Sequence, residues 1–118
     1  MLRCFLGAKL HRMVITDANV DYVGSIQIDG EILRLSGILP GERVQVADLD
    51  NGERFETYVI QGTPGSGMLC INGAAARLVS PGDRVIVLQY VWVENGEAPP
   101  VPKIVIAGES NLNPGLLV

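Results

Sequence analysis

The sequence predicts an all-β fold, a small closed barrel of six strands joined by tight turns and short helices. Three observations carry that expectation. Val, Ile and Leu dominate an apolar fraction of 47%, aromatics supply only 5%, and 14 Gly and 7 Pro punctuate the chain, a composition suited to short strands and tight turns. Apolar and polar residues alternate along several short runs, the two-residue period of a half-buried strand. The third observation is an internal repeat. Ile28-Asp29-Gly30, three residues, then Arg34-Leu35 matches Ile71-Asn72-Gly73, three residues, then Arg77-Leu78. Pro40-Gly41-Glu42-Arg43-Val44-Gln45-Val46 then matches Pro81-Gly82-Asp83-Arg84-Val85-Ile86-Val87. One unit of strand, short helix, Pro-Gly turn and strand thus occurs twice, which predicts a pseudo-twofold barrel of interleaved halves. Closure removes sheet edges that so few helices could not cover.

Taken in order, Leu2 to Lys9 is mostly apolar and predicts a strand, with Met13-Val14-Ile15 as its continuation or a second strand. Lys9 and His11 alternate onto one face and Arg12 onto the other. A turn-prone run, Thr16-Asp17-Ala18-Asn19, precedes Gly24-Ser25 and the strand Ile26-Gln27-Ile28. Asp29 is placed to cap a short helix through Ser36, with Ile32, Leu33 and Leu35 inward and Gly37 at its end. Arg43 to Ala47 alternates as a strand. Asp50-Asn51-Gly52 suits a two-residue hairpin turn with positive backbone angles. The returning strand then carries Arg54, Glu56 and Tyr58 on one face and Phe55, Thr57 and Val59 on the other. Met68 to Ile71 reads as a buried strand, Asn72 to Arg77 as a turn and short helix, Arg84 to about Val93 as a long strand. Pro99, Pro100 and Pro102 mark a connection to a last strand, Ile104-Val105-Ile106.

The 118 residues fit one domain, 1–118, ending in a loose tail from about 108 to 118. Nine basic against 13 acidic residues give a net charge of −4, the wrong sign for a nucleic-acid or acidic-membrane binder. No apolar run approaches the roughly 20 residues of a membrane span, and Lys9, His11 and Arg12 interrupt any signal-peptide pattern. Cys4 and Cys70 form no paired motif and no ligand cluster with His11, the single histidine. Reduced thiols in a cytoplasmic protein, with no metal, are therefore expected.

Four segments carry candidate chemistry. Gly24-Ser25 puts a hydroxyl at the mouth of a strand, after the one residue that tolerates unusual backbone angles. Strain beside a nucleophile is a chemical device. Gly65-Ser66 echoes it in a loop rich in Gly and Pro, where strain would relax. Lys9-Leu10-His11-Arg12 gathers cations, Asn51 to Tyr58 places Arg54, Thr57 and Tyr58 along one strand, and Asn72-Gly73-Ala74-Ala75 offers an amide beside small residues. Singly, each has a plain structural reading: Tyr58 a core-capping tyrosine, Arg54 a surface charge, His11 a satisfied strand histidine, Tyr22 a space filler.

Jointly, in this order and spacing, the four segments resemble the pyruvoyl-dependent aspartate decarboxylase family, from residue 1 to about residue 93. The resemblance implies a double-psi β-barrel and a homotetramer with active sites between subunits. It implies that the chain cleaves itself at Gly24-Ser25 into a β chain, 1–24, and an α chain, 25–118. The Ser25 hydroxyl attacks the Gly24 carbonyl, the resulting ester eliminates, and hydrolysis leaves a pyruvoyl group from Ser25 as covalent cofactor. Thr57, and with it Asn72, would donate to the Gly24 carbonyl, and Tyr22 would support the cleavage loop. The pyruvoyl ketone forms a Schiff base with L-aspartate and takes up the electron pair left by carbon dioxide; β-alanine for pantothenate synthesis is the product. Tyr58 is the implied proton donor. Substrate-binding positions are Lys9, His11, Arg54, Thr57, Asn72, Gly73, Ala74 and Ala75. An arginine fork suits the carboxylate that aspartate retains, so Arg54 is assigned to it with Lys9 assisting. A cation clamped on the departing carboxylate would favour the ground state instead.

Two positions depart from the family pattern: Asn19, where an acidic residue is common, and Arg77, where histidine is common. Spontaneous maturation and maturation by an accessory protein both remain open from the sequence. Two rival readings are an uncleaved ligand-binding or assembly barrel, and the same chemistry on glutamate.

Overall fold

The computed structural model describes residues 1–117. Its strands are β1 (Leu2–Val14), β2 (Asp17–Asn19), β3 (Ser25–Asp29), β4 (Arg43–Asp48), β5 (Arg54–Gly62), β6 (Leu69–Asn72), β7 (Arg84–Glu94), β8 (Lys103–Ile106) and β9 (Gly115–Leu116). One helix, α1 (Gly30–Ser36), follows β3, and a 3-10 helix, Gly73–Leu78, follows β6 at the corresponding point of the repeat. The all-β expectation and the twice-used unit are therefore both present.

The strands pair in the order β2-β6-β3-β5-β4-β7-β1-β8-β9. The two ends of the first seven meet on one run of chain, because Ile15 and Thr16 lead β1 directly into β2. Ile15 exchanges backbone hydrogen bonds with Asp83 (2.9 Å) and Gly82 (2.8 Å), while Thr16 N donates to the Leu69 carbonyl at 2.9 Å. With β1 and β2 taken as one strand, β6, β3, β5, β4 and β7 complete a ring of six. β8 lies parallel against β1 outside it. Every ring strand turns buried aliphatic residues inward, among them Leu10, Ile26, Val46, Val59, Ile71 and Val87. Their removal from water is the main force holding the ring closed.

α1 begins and ends as its sequence dictates. Asp29 accepts from Glu31 N at 2.8 Å, and Gly37 closes it in the left-handed region at φ 76°, a conformation only glycine adopts without steric cost. Ile32 and Leu33 are buried and Leu35 half-buried.

Three expectations are corrected. The Asn51-Gly52 turn is a five-residue loop, not a two-residue hairpin: β4 ends at Asp48 and β5 starts at Arg54. Gly52 alone there has positive φ, at 79°, and the Asp48 carboxylate accepts from Asp50 N and Asn51 N to hold the wider turn. Arg12 does not simply alternate with His11. It sits at φ 57° in a bulge between Leu10 and Met13, so those two residues, three apart, are both buried. The described part of the 108–118 segment is no loose tail. β9 pairs with β8, and the buried Asn111 side chain bonds Val14 N, Val14 O and Gly67 O at 2.8, 2.7 and 2.9 Å.

Candidate active site

The site begins where β3 does. Ser25 stands opposite Asn72 in the antiparallel pairing of β3 with β6. Both side chains are buried, at 3% and 5% exposure, and the Asn72 amide donates to Ser25 Oγ at 3.1 Å. That bond fixes the hydroxyl and supplies a donor to the negative charge an alkoxide would carry. In this uncleaved chain the amide therefore meets the hydroxyl, not the Gly24 carbonyl.

Gly73 explains how the loop ending at Gly24 comes so close. It has φ 77°, and a Cβ built there would lie 2.5 Å from Gly24 Cα, 2.8 Å from Gly24 N and 3.3 Å from Tyr22 O. No side chain fits in that space, and backbone cannot yield as a flexible side chain would. Ala74 is exposed and Ala75 half-buried in the turn that follows, so only small groups flank the junction. The Tyr22 ring is 63% exposed; in one chain it fills no core space, and its backbone is what abuts Gly73.

β5 runs parallel to β3 on its other side, with Ile26 opposite Val59. Carried back along both strands, that register sets Ser25 beside Tyr58 and Gly24 beside Thr57. Thr57 is half-buried, on the inward alternation with Val59, and Tyr58 is 41% exposed on the outward one.

The cationic candidates lie elsewhere on the sheet. Arg54 is four residues from Tyr58, about 13 Å at strand rise, exposed, with Nη2 3.4 Å from Gln45 Oε1. It opposes Ala47, which opposes Ile86. Lys9 opposes Leu88, which opposes Gln45, which opposes Glu56. Lys9 and β5 are thus separated by β7 and β4. His11 is half-buried in the β1 bulge, with Nδ1 out of water and unpartnered among the described residues. Burial first, then the charges of Lys9 and Arg12, lower its pKa, which favours a neutral imidazole.

One chain therefore gathers Gly24, Ser25, Asn72 and Gly73, with Thr57 and Tyr58 alongside, and spreads Lys9, His11 and Arg54 across an outward sheet face. Two clefts among the described residues lie away from Ser25. One of about 350 Å³ lies between Arg43, Gln45, Glu56, Tyr90 and Trp92, and one of about 440 Å³ lies beside α1. Of the two departures, Asn19 accepts from Asp21 N at 3.0 Å and stands opposite Asn72, while Arg77 is exposed on the 3-10 helix.

Comparison with known proteins agrees with this arrangement of motifs. A family model described as aspartate decarboxylase matches residues 1–113. An aspartate 1-decarboxylase of Acetivibrio thermocellus is 50% identical over 112 residues, covering 94% of this chain and 89% of the relative. One from Caldicellulosiruptor saccharolyticus is 52% identical over 112 residues, with 94% and 88% covered. A Geobacillus sp. aspartate 1-decarboxylase is 50% identical over 119 residues, covering 100% of this chain and 94% of its own.

Proposed function

This chain belongs to the aspartate decarboxylase family and is a carbon–carbon lyase, and from that premise we propose that it cleaves itself at Gly24-Ser25 and then converts L-aspartate to β-alanine and carbon dioxide for pantothenate and coenzyme A synthesis. The observation that carries the reading is the buried Asn72 amide on Ser25 Oγ, 3.1 Å away, beside a glycine whose missing Cβ makes room for Gly24.

Self-cleavage uses the chain's own groups. Ser25 Oγ adds to the Gly24 carbonyl, the C–N bond to residue 25 breaks, and an ester forms. Loss of the Ser25 α-proton expels the Gly24 carboxylate, and water replaces nitrogen as ammonia to leave the pyruvoyl ketone. Thr57 donates to the oxyanion on Gly24, Asn72 holds the hydroxyl, and the Tyr22 backbone steadies the loop.

The ketone supplies an electron sink once the substrate amine has condensed with it. Arg54 binds the carboxylate that aspartate keeps, assisted by Lys9, with His11 lining the site and Gly73, Ala74 and Ala75 giving backbone contacts. Tyr58 returns a proton to the carbon that lost carbon dioxide, bringing no permanent charge into the site. Within one chain Arg54 lies about 13 Å from Tyr58 along β5, and Lys9 is separated from β5 by β7 and β4. That spread, with Tyr90 and Trp92 42% and 62% exposed beside it, supports a homotetramer whose subunits complete each other's sites. A cytoplasmic setting accords with two free cysteines. Among the described residues no helix is long and apolar enough to cross a membrane.

Denaturing intact-mass measurement after purification tests the proposal together with assays on aspartate and glutamate. We expect fragments 1–24 and 25–118, and β-alanine from aspartate. A wholly uncut chain that turns over aspartate overturns the cleavage step, and preferred 4-aminobutyrate formation overturns the substrate. In the same assays Arg54→Met is expected to give both fragments and lose most aspartate affinity; equal loss of cleavage removes its assigned role.

A further inference from the structure

Far from Ser25 in the sheet, the fold gathers three carboxylates. Asp48 closes β4, Asp50 lies in the loop after it, and Asp83 ends the turn before β7. One oxygen from each lies within 4.8 Å of the others. Main-chain amides orient all three. Asp48 Oδ1 accepts from Asp50 N and Asn51 N at 2.8 and 3.3 Å, Asp50 Oδ2 from Arg84 N at 2.7 Å, and Asp83 Oδ2 from Ser80 N at 3.0 Å. Each carboxylate thus commits one oxygen to backbone and keeps the other.

Asp48 adds a second, independent observation. Its side chain is 3% exposed, and its Oδ2 is buried with no hydrogen-bond partner among the described residues. A bare, desolvated carboxylate oxygen is costly unless something meets it. Protein cations do not. None of the three ion pairs among the described residues includes these aspartates, and the neighbouring Arg84 guanidinium donates to the Arg12 carbonyl at 3.0 Å.

We infer that Asp48, Asp50 and Asp83 form a binding site for a hard divalent cation of the size of Ca²⁺. Oxygen ligands without nitrogen or sulfur select a hard ion. Three carboxylate oxygens all within 4.8 Å of one another can be met by one ion with oxygen ligands at about 2.3–2.6 Å, and Ca²⁺ accepts such an irregular set where Mg²⁺ demands a near-ideal octahedron. Asp50 is exposed, so water reaches the remaining positions. The ion would tie the loop after β4 to the turn before β7, where Leu49 N already donates to the Arg84 carbonyl at 2.8 Å. Its role is structural, apart from the cleavage chemistry.

The test uses purified full protein, stripped with EDTA and dialysed, then titrated with CaCl₂ against KCl of equal ionic strength. Calorimetry is expected to find one Ca²⁺ per chain, and the Tm to rise by roughly 5 °C at about ten times Kd. Asp50→Asn and Asp83→Asn keep an oxygen for their backbone bonds, and each is expected to weaken binding at least tenfold and remove the Tm rise. Absence of Ca²⁺ heat and of any Tm rise beyond the KCl control overturns the site, as does equal binding by wild type and variants. Should Asp83→Asn not fold, the exposed Asp50→Asn decides.

Discussion

Gly24-Ser25 and Gly65-Ser66 are the same dipeptide ahead of the two copies of one structural unit, yet the fold treats them oppositely. In each half the repeated strand ends in an Asp or Asn that reaches into the other half's loop. Asp29 accepts from Gly65 N and Gly67 N, both at 2.8 Å, while capping α1. Its carboxylate is spent on immobilising backbone. Ser66 is spent as well: its exposed hydroxyl donates to the Thr63 carbonyl at 2.6 Å and accepts from Met68 N at 3.2 Å. On the other side Asn72 donates to a buried Ser25 hydroxyl. An acceptor at the strand end makes a latch, whereas a donor there makes a cradle for an oxygen that can become negative. One nitrogen in place of one oxygen separates a strand end that accepts from loop backbone from one that donates to a buried hydroxyl.

The largest expected effect falls on the two serines. Ser25→Ala should abolish fragment formation and leave a folded, uncut chain by intact mass. Ser66→Ala removes only two exposed turn hydrogen bonds, each worth about 1 kcal/mol, and should leave processing complete. If Ser66→Ala blocked cleavage, the two loops would not differ in the way their hydrogen bonds indicate.

The paired glycines come next. Gly73→Ala would drive a Cβ to 2.5 Å from Gly24 Cα at φ 77°, whereas Gly30→Ala meets the Gln61 Nε2 amide end at 2.9 Å and the Pro64 ring at 3.0 Å with no positive φ. Gln61 is exposed and can swing aside. Gly73→Ala is therefore expected to cut the fraction processed severely and to lower Tm, while Gly30→Ala processes normally. Time courses of fragment formation check both.

This contrast marks how much could be read from the chain. The repeat, α1 with Asp29 and Gly37 at its ends, and the face assignment of Arg54 to Val59 were legible because period and capping are local properties. So was the Gly24-Ser25 junction beside Asn72, through motif order. Three things were not. The Asp48 carboxylate widened a turn that Asn51-Gly52 alone would have made tight. The Arg12 bulge broke strict alternation. Asn111 fastened a segment whose composition reads as loose, through bonds to Val14 and Gly67. Each miss is one side chain meeting backbone far along the chain or overriding a local preference. The separation of Lys9 and Arg54 from Ser25 within one chain was also hidden, since sequence motifs carry no distances.

The smallest effects separate latch from cradle most directly. Asn72→Ala removes one buried side-chain hydrogen bond and a small volume, a stability loss of about 1–2 kcal/mol. It also takes away the donor to Ser25 Oγ, and losing one such donor typically slows reaction by about 10²–10³. Asp29→Ala leaves Glu31 N, Gly65 N and Gly67 N without their acceptor and uncaps α1, so about 3 kcal/mol of stability should go, while material that folds still processes. Urea unfolding beside cleavage time courses therefore yields crossed results: Asn72→Ala slow to cleave but stable, Asp29→Ala unstable but quick. Were both variants merely unstable, with cleavage of the folded fraction unchanged, the Asn72 amide would be another latch and the chemical distinction between the halves would have to lie in Thr57 and Tyr58 alone.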